Sequence, residues 1–191
     1  MLCVSLHSED QSVLHLAPLF ILVTTIPSGD LASTEPTPER LLGQSLVDAI
    51  MANDVVAYSH CWVSTRRMLS IMKQLGVNEI SADKLREYHA LRNRGIHESF
   101  TKIQKLIRDK KIDRKSITLK TCTPSKIRQK AAPKGKLTQT TQFSVLISVG
   151  DDEWRFEIDD GLLHHGLWYF SDSPINLFFD NEVLSFRDHR K

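Results

Sequence analysis

The carboxylates best placed for acid–base chemistry lie in a strand-forming stretch near the C-terminus. From Trp154 to Asp160 large apolar residues alternate with charged ones. Because successive side chains of a strand point to opposite faces, Asp160 shares the face of Trp154 and Phe156. Asp160 could therefore enter an apolar pocket and act as a general base. The alternative is that Asp159-Asp160-Gly161 forms a bulge or turn that caps backbone groups.

Two residues on a predicted helix suggest a binding site. Tyr88 and Arg92 are four positions apart, which places them one helical turn from each other. Either side chain could reach an anionic ligand. The alternative is that Tyr88 belongs to the core and Arg92 is solvated, as is more usual for these residue types.

The histidines and cysteines do not form a recognisable metal or nucleophile motif. His164 and His165 are adjacent on a strand, so their side chains diverge, and no carboxylate pattern completes a ligand set. His60 lies beside Cys61 and Trp62, where it lines a pocket mouth or is a hydrogen-bonded histidine without a chemical role. The three cysteines share no CxxC spacing. No phosphate-binding glycine loop or nucleophile elbow occurs, so we predict no cofactor, no metal and no catalytic set.

The strand pattern predicts a three-stranded antiparallel meander over residues 140–172. Alternation runs through Phe143, Val145, Ile147 and Val149, then resumes at Trp154 after a Gly150-Asp151-Asp152 turn. A second turn at His165-Gly166 leads into Leu167-Trp168-Tyr169-Phe170. Ser171-Asp172-Ser173-Pro174 is expected to end the sheet, because proline cannot donate to a ladder. The aromatic side chains predict a strongly curved sheet.

Three helical segments precede these strands. Thr37-Pro38-Glu39 begins the first, Asn53-Asp54 separates it from a second that ends at Gly76, and Ser81 begins a long third helix. One face of the third helix carries apolar residues at helical spacing: Leu85, Tyr88, Ile96, Phe100, Ile103 and Ile107. Ile117 to Cys122 is β-branched and predicts a strand, and residues 123–136 are expected to form a long loop.

Charge is distributed unevenly along the chain. Residues 101–136 contain 13 basic and two acidic residues, a balance of +11, whereas residues 143–191 contain four basic and ten acidic residues, a balance of −6. The basic segment could bind a polyanion, such as nucleic acid or an anionic surface. It lacks interleaved aromatic residues and matches no nucleic-acid-binding module, so nucleic acid is not the favoured partner.

We predict three parts of the chain: a signal-like or disordered segment at residues 1–36, one folded domain at residues 37–180, and a C-terminal tail at residues 181–191. The apolar run from Leu14 to Val23 has signal-peptide length and is too short to span a bilayer. It is not preceded by a basic residue. Export and a cytoplasmic location therefore both stay open, and no transmembrane segment is predicted in the folded domain.

The order of these elements resembles the nuclear transport factor 2-like superfamily, the cystatin-like α+β cone. The resemblance covers residues 37–180 and is carried by three segments: Ala49-Ile50-Met51-Ala52-Asn53-Asp54 with Ala57, the stretch from Asp151 to Asp160, and Gly166-Leu167-Trp168-Tyr169-Phe170-Ser171-Asp172. It implies an α+β fold in which three N-terminal helical segments pack on a curved antiparallel sheet. A conical pocket is implied between them.

In that superfamily the pocket serves isomerases, dehydratases and polyketide cyclases, and many members only bind ligands or proteins. Ketosteroid isomerase-like members use an inward Asp as base, which corresponds to Asp160 here. Their Tyr and Asp oxyanion pair has no counterpart that we can assign. The leading expectation is a non-enzymatic domain that binds a small molecule or a protein, and forms a homodimer through the outer face of its sheet. The expected pocket lining is Tyr88, Trp154, Phe156, Asp160 and Trp168; the alternative is an isomerase- or cyclase-type enzyme with Asp160 as base.

Overall fold

The structure is a computed structural model, and it describes residues 35–76, 81–132 and 134–186. It is an α+β domain in which helices pack on an antiparallel sheet, as predicted. The helices are α1 (Pro38–Ala52), α2 (Val55–His60), α3 (Thr65–Leu75) and α4 (Ala82–Asp109), with a 3₁₀ turn at Arg114–Ser116. The strands are β1 (Ile117–Ser125), β2 (Arg128–Ala132), β3 (Gly135–Val149), β4 (Asp152–His164), β5 (Leu167–Phe170), β6 (Pro174–Phe179) and β7 (Glu182–Ser185).

The predicted helix boundaries are confirmed by their caps. The Thr37 hydroxyl accepts a hydrogen bond from the Arg40 amide, and Pro38 occupies the first turn, where its missing N–H costs nothing. Asn53 ends α1 in the left-handed conformation, and the Asp54 carboxylate then accepts from the amides of Val56 and Ala57. These are local interactions, so residue type and order alone specify them.

The second predicted helical segment is in fact two helices, which makes four in the described residues instead of three. Trp62 forms a parallel bridge with Phe170, and the Val63 amide donates to the Phe170 carbonyl at 2.9 Å. Ser64 then caps α3 through the Arg67 amide. The break is thus made by a contact with β5, more than a hundred residues further along the chain.

The sheet is built on β3 and β4. Its strands lie in the order β1-β3-β4-β6-β7, with β2 also paired to β3 and β5 also paired to β4. The predicted meander of β3, β4 and β5 is confirmed. Because β5 and β6 pair with different halves of β4, they share one edge of that strand.

Two segments differ from the prediction. Residues 123–136 were expected to form a loop, but β1 extends to Ser125 and β2 pairs with the first part of β3 from Arg128↔Gln139 to Ala132↔Gly135. The lysine-rich composition of this segment gave no strand signal, but β2 and the start of β3 pair with each other through their backbones. Pro174 does not end the sheet but begins β6, where a strand tolerates proline at its first position. β7 follows within the segment predicted to be a tail.

The core lies between α4, α1 and one face of the sheet. The inward row of β3 (Phe143, Val145 and Ile147) and that of β4 (Trp154, Phe156 and Ile158) are all almost fully buried. The buried face of α4 meets them with Ile96, Phe100, Ile103 and Ile107. These side chains belong to one apolar cluster.

Two helical glycines provide a test of this packing. A Cβ on Gly43 of α1 would lie 2.5 Å from the Cβ of Cys122, whereas one on Gly95 of α4 would meet Ser173 at an ordinary 3.5 Å. Both alanine substitutions gain helix propensity. We therefore expect Gly95→Ala to stabilise the protein by about 0.5–1 kcal/mol, and Gly43→Ala to destabilise it by about 1–3 kcal/mol. Urea unfolding followed by circular dichroism measures both, and equal effects of the two variants would contradict the close approach of α1 to β1.

Candidate functional site

Three of the four aromatic residues predicted to line the pocket are buried: Trp154, Phe156 and Trp168. Trp154 and Phe156 are 1% and 0% exposed, and both belong to the apolar core. Trp168 is also buried, and its indole Nε1 donates to Glu39 Oε1 at 2.7 Å. Trp168 borders a small cleft of about 190 Å³ beside α1. Trp154 and Phe156 line none of the clefts described below.

Asp160 and Tyr88 lie at the surface, on the same side of the domain. Asp160 is exposed with a φ of 46°, between Asp159 and Gly161, which pair with Gln142 and Thr140. This left-handed residue interrupts the alternation, so its side chain leaves the inward row. Tyr88 is 45% exposed. Partial burial raises the Tyr88 pKa, and the neighbouring carboxylates of Asp172 and Asp160 raise it further.

The sequence predicted that Tyr88 lies on the buried face of α4. The structure instead buries two polar residues near it, His89 and Arg92. His89 and Arg92 are 1% and 5% exposed, and they continue the row of Leu85 and Ile96. Their positions relative to those two apolar residues follow helical spacing. This spacing was the available signal, but residue type favoured Tyr88 as the core residue and a solvated Arg92. The structure reverses both expectations.

Arg92 is held beneath the loop that follows β5. Its Nη1 donates to the Ser171 carbonyl at 3.4 Å and its Nη2 to Asn93 Oδ1 at 3.2 Å, while its Nε has no hydrogen-bond partner among the described residues. Trp62 Nε1 donates to the Asp172 carbonyl at 2.6 Å and fixes the same loop. Burial lowers the pKa of Arg92 to about 10, although Tyr88 and Asp172 act in the opposite direction. Arg92 is therefore still a cation at neutral pH.

Arg92 forms part of the wall of a cleft of about 630 Å³ between α2, the start of α3, and α4. We call it the central cleft. Its lining contains three arginines, two histidines and no acidic residue: Ser59, His60, Trp62, Ser64, Thr65, Arg66, Arg67, Arg92, Asn93 and His97.

The start of α3 contributes backbone donors to the central cleft. The Ser64 hydroxyl accepts from the Arg67 amide, and the Ser64 carbonyl accepts from Met68. Thr65 and Arg66 occupy the first two helical positions, where an amide has no intrahelical acceptor. The positive end of the helix dipole points the same way. Backbone and side chains thus favour a negative charge at one place.

Two further clefts adjoin the central one. The first, the α3–α4 groove, has a volume of about 520 Å³ and is lined by Thr65, Arg66, Leu69, Arg86, His89, Ala90 and Asn93. The second, of about 460 Å³, includes His164, His165 and Tyr169, and the Arg67 guanidinium lies 4.3 Å above the Tyr169 ring. Arg66 borders all three clefts. No acidic side chain lines any of them.

His89 is an unusual residue of the α3–α4 groove. Both of its ring nitrogens are buried and have no partner in the described part of the chain. Burial lowers the pKa of His89 to about 4, and the positive charge of Arg92 contributes to this shift. His89 is therefore neutral at physiological pH. Buried polar atoms without partners are rare in folded proteins.

The basic segment of residues 101–136 is partly neutralised within the fold. Lys105 pairs with Asp109 at 2.6 Å, Lys110 with Asp180, and Lys120 with Glu153. Two of these partners come from the acidic C-terminal part of the chain. Two basic residues of the segment, Lys110 and Lys120, are therefore paired with carboxylates of the acidic region.

Metal and thiol chemistry find little support. Among residues 35–76, 81–132 and 134–186, no group of three His, Cys, Asp or Glu side chains could hold a metal ion. Cys61 and Cys122 are free thiols. Burial raises the pKa of each to about 12, so neither is a ready nucleophile. None of the described helices combines the length and apolarity needed to cross a membrane.

Compared with known protein families, curated proteins and solved structures, the chain has no match among them. The physical features of the clefts are therefore the basis for a functional proposal.

The neutral His89 makes stability depend on pH. Its folded pKa, about 4, lies below the usual value of 6.5. Between these values the unfolded chain binds more protons, so the free energy of unfolding falls as the pH drops from 6.5 towards 4. We expect His89→Leu to reduce this slope, and His97→Leu, at an exposed position of α4, is the matched control. Urea titrations at several pH values measure the slopes, and identical slopes for wild type and His89→Leu would contradict the burial of a neutral imidazole.

Proposed function

We propose that this domain binds a small molecule with an anionic group, and that the group occupies the central cleft. The observation that carries the proposal is Arg92, a buried cation with an unpartnered Nε on the wall of a cleft that no acidic side chain lines. A buried arginine is costly unless its charge is compensated. An anion in the cleft would supply that compensation, beyond the help Arg92 receives from Asp172.

The start of α3 supports the same ligand class. The first-turn amides of Thr65 and Arg66 and the side chains of Arg66 and Arg67 border the cleft that contains Arg92. A helix N-terminus with basic side chains favours phosphate and carboxylate groups. Here it acts together with a buried arginine from another helix, so the positive groups come from two separate elements.

The size of the cleft favours a small ligand over a protein segment. Its volume, about 630 Å³, lies within the range of about 300–1,000 Å³ typical of small-molecule pockets. Asp160, the base of the enzymatic alternative, is exposed and does not line the cleft. We therefore favour binding without catalysis.

A nuclear transport factor 2-like cone is part of this proposal. Four described helices pack on one antiparallel sheet, and residues of the longest, α4, share its apolar core. In such a cone the space between helix and sheet would serve as the pocket. Here Trp154, Phe156 and their neighbours fill that space, which favours binding at the rim, between α3 and α4.

Phosphate binding tests the proposal. We expect inorganic phosphate to bind with 1:1 stoichiometry in isothermal titration calorimetry at low ionic strength. Arg92→Met should weaken binding on the order of 10- to 100-fold, the range for loss of a hydrogen bond to a charged group. Arg66→Gln removes an exposed arginine of the same cleft and should weaken binding without affecting the core.

Arg94→Gln is the matched control for this experiment. Arg94 lies on α4 two residues from Arg92, is exposed, and pairs with Glu98 at 3.1 Å outside the cleft. Its loss changes the net charge as much as Arg92→Met does and should leave phosphate affinity nearly unchanged. Equal losses for Arg92→Met and Arg94→Gln would indicate diffuse charge attraction and overturn the proposal, as would the absence of phosphate binding to the wild type.

A further inference from the structure

His89 lies in a second part of the site, next to the wall of the central cleft that Arg92 helps to form. It borders the α3–α4 groove, and neither ring nitrogen has a partner among the described residues. A neutral imidazole carries one donor and one acceptor. Leaving both unsatisfied in a buried position costs free energy, so the position favours a hydrogen-bonding group that the described residues do not supply.

The groove and the central cleft are neighbours that share three lining residues, Thr65, Arg66 and Asn93. Asn93 follows Arg92 directly, is exposed, and accepts a hydrogen bond from the Arg92 guanidinium. A ligand with its anionic group at Arg92 can therefore extend past Asn93 towards His89.

The chemistry of the groove differs from that of the central cleft. Leu69 and Ala90 supply apolar surface, and His89 is uncharged at neutral pH. Of the two arginines that line the groove, Arg86 pairs with Asp83 at 2.7 Å, and Arg66 is shared with the central cleft. This surface favours an uncharged body over a second anionic group.

We propose that the ligand is an amphipathic anion, with its anionic head in the central cleft and an uncharged body in the α3–α4 groove, where a polar group of the body hydrogen-bonds to His89. This proposal rests on the anion-binding function proposed above. It adds the ligand class: an organic phosphate or carboxylate with an apolar, ring-sized body that carries one hydrogen-bonding group.

Three phosphate monoesters test each part of the proposal separately. Methyl phosphate supplies the head alone, phenyl phosphate adds an apolar ring, and 4-carbamoylphenyl phosphate adds an amide to that ring. By calorimetry we expect phenyl phosphate to bind about tenfold or more tightly than methyl phosphate, because the ring buries apolar area. The amide should add a further gain of about 3- to 10-fold, the contribution of one hydrogen bond.

Two variants locate the body in the groove. His89→Leu keeps a similar volume without polar atoms, so it should abolish the gain from the amide and retain the gain from the ring. Ala90→Phe narrows the groove from an exposed position and should abolish the ring's gain while methyl phosphate still binds. Leu91→Phe is the matched control, because Leu91 is the next residue, is 64% exposed and does not line the groove.

The outcomes separate this proposal from the one on which it rests. If methyl phosphate binds in an Arg92-dependent manner but the ring adds nothing, the groove proposal is overturned and the anion site stands. The same conclusion follows if Ala90→Phe and Leu91→Phe have equal effects, a result that does not depend on the folding of His89→Leu. If none of the three esters binds, both proposals fail.

Discussion

The packing of one face of α4 against the sheet is the constraint on which the rest of the structure depends. The helix has 28 residues, so it is about 42 Å long. Its C-terminal half buries Ile96, Phe100, Ile103 and Ile107 against the inward rows of β3 and β4. The same face continues towards the N-terminal half of the helix, but there it buries His89 and Arg92 between Leu85 and Ile96. The site arises where the apolar part of this face ends.

Burial of Arg92 depends on contacts from several separate elements. α4 places the guanidinium beneath the loop after β5, where Ser171 supplies an acceptor. Trp62, between α2 and α3, secures that loop through the Asp172 carbonyl, and the Trp62–Phe170 bridge positions the start of α3. Arg92 and the first turn of α3 therefore depend on the same small set of long-range contacts. A change that loosens the bridge would alter the electrostatics of the cleft as well as the fold.

Charge along the sequence and charge in the structure lead to different conclusions. The most basic segment, residues 101–136, contributes lysines that pair with Asp109, Glu153 and Asp180. Arg66, Arg67 and Arg92 line a cleft that no acidic residue lines. All three lie outside the basic segment. Charge density in sequence measures local composition, whereas ligand binding depends on which charges meet after folding.

The sequence by itself determined the features that depend on neighbours in the chain. The caps at Thr37, Asn53 and Ser81 and the alternation of the β3–β4–β5 meander were predicted correctly, because a cap or an alternating strand is specified within a few residues. Tertiary structure alone decided the division of α2 from α3 and the burial of Arg92 in place of Tyr88. Both depend on a partner distant in sequence: Phe170 for the helix break and the Ser171 carbonyl for Arg92. Residue type predicts where a side chain is found on average, and these partners make a buried arginine and an exposed tyrosine the favourable arrangement here.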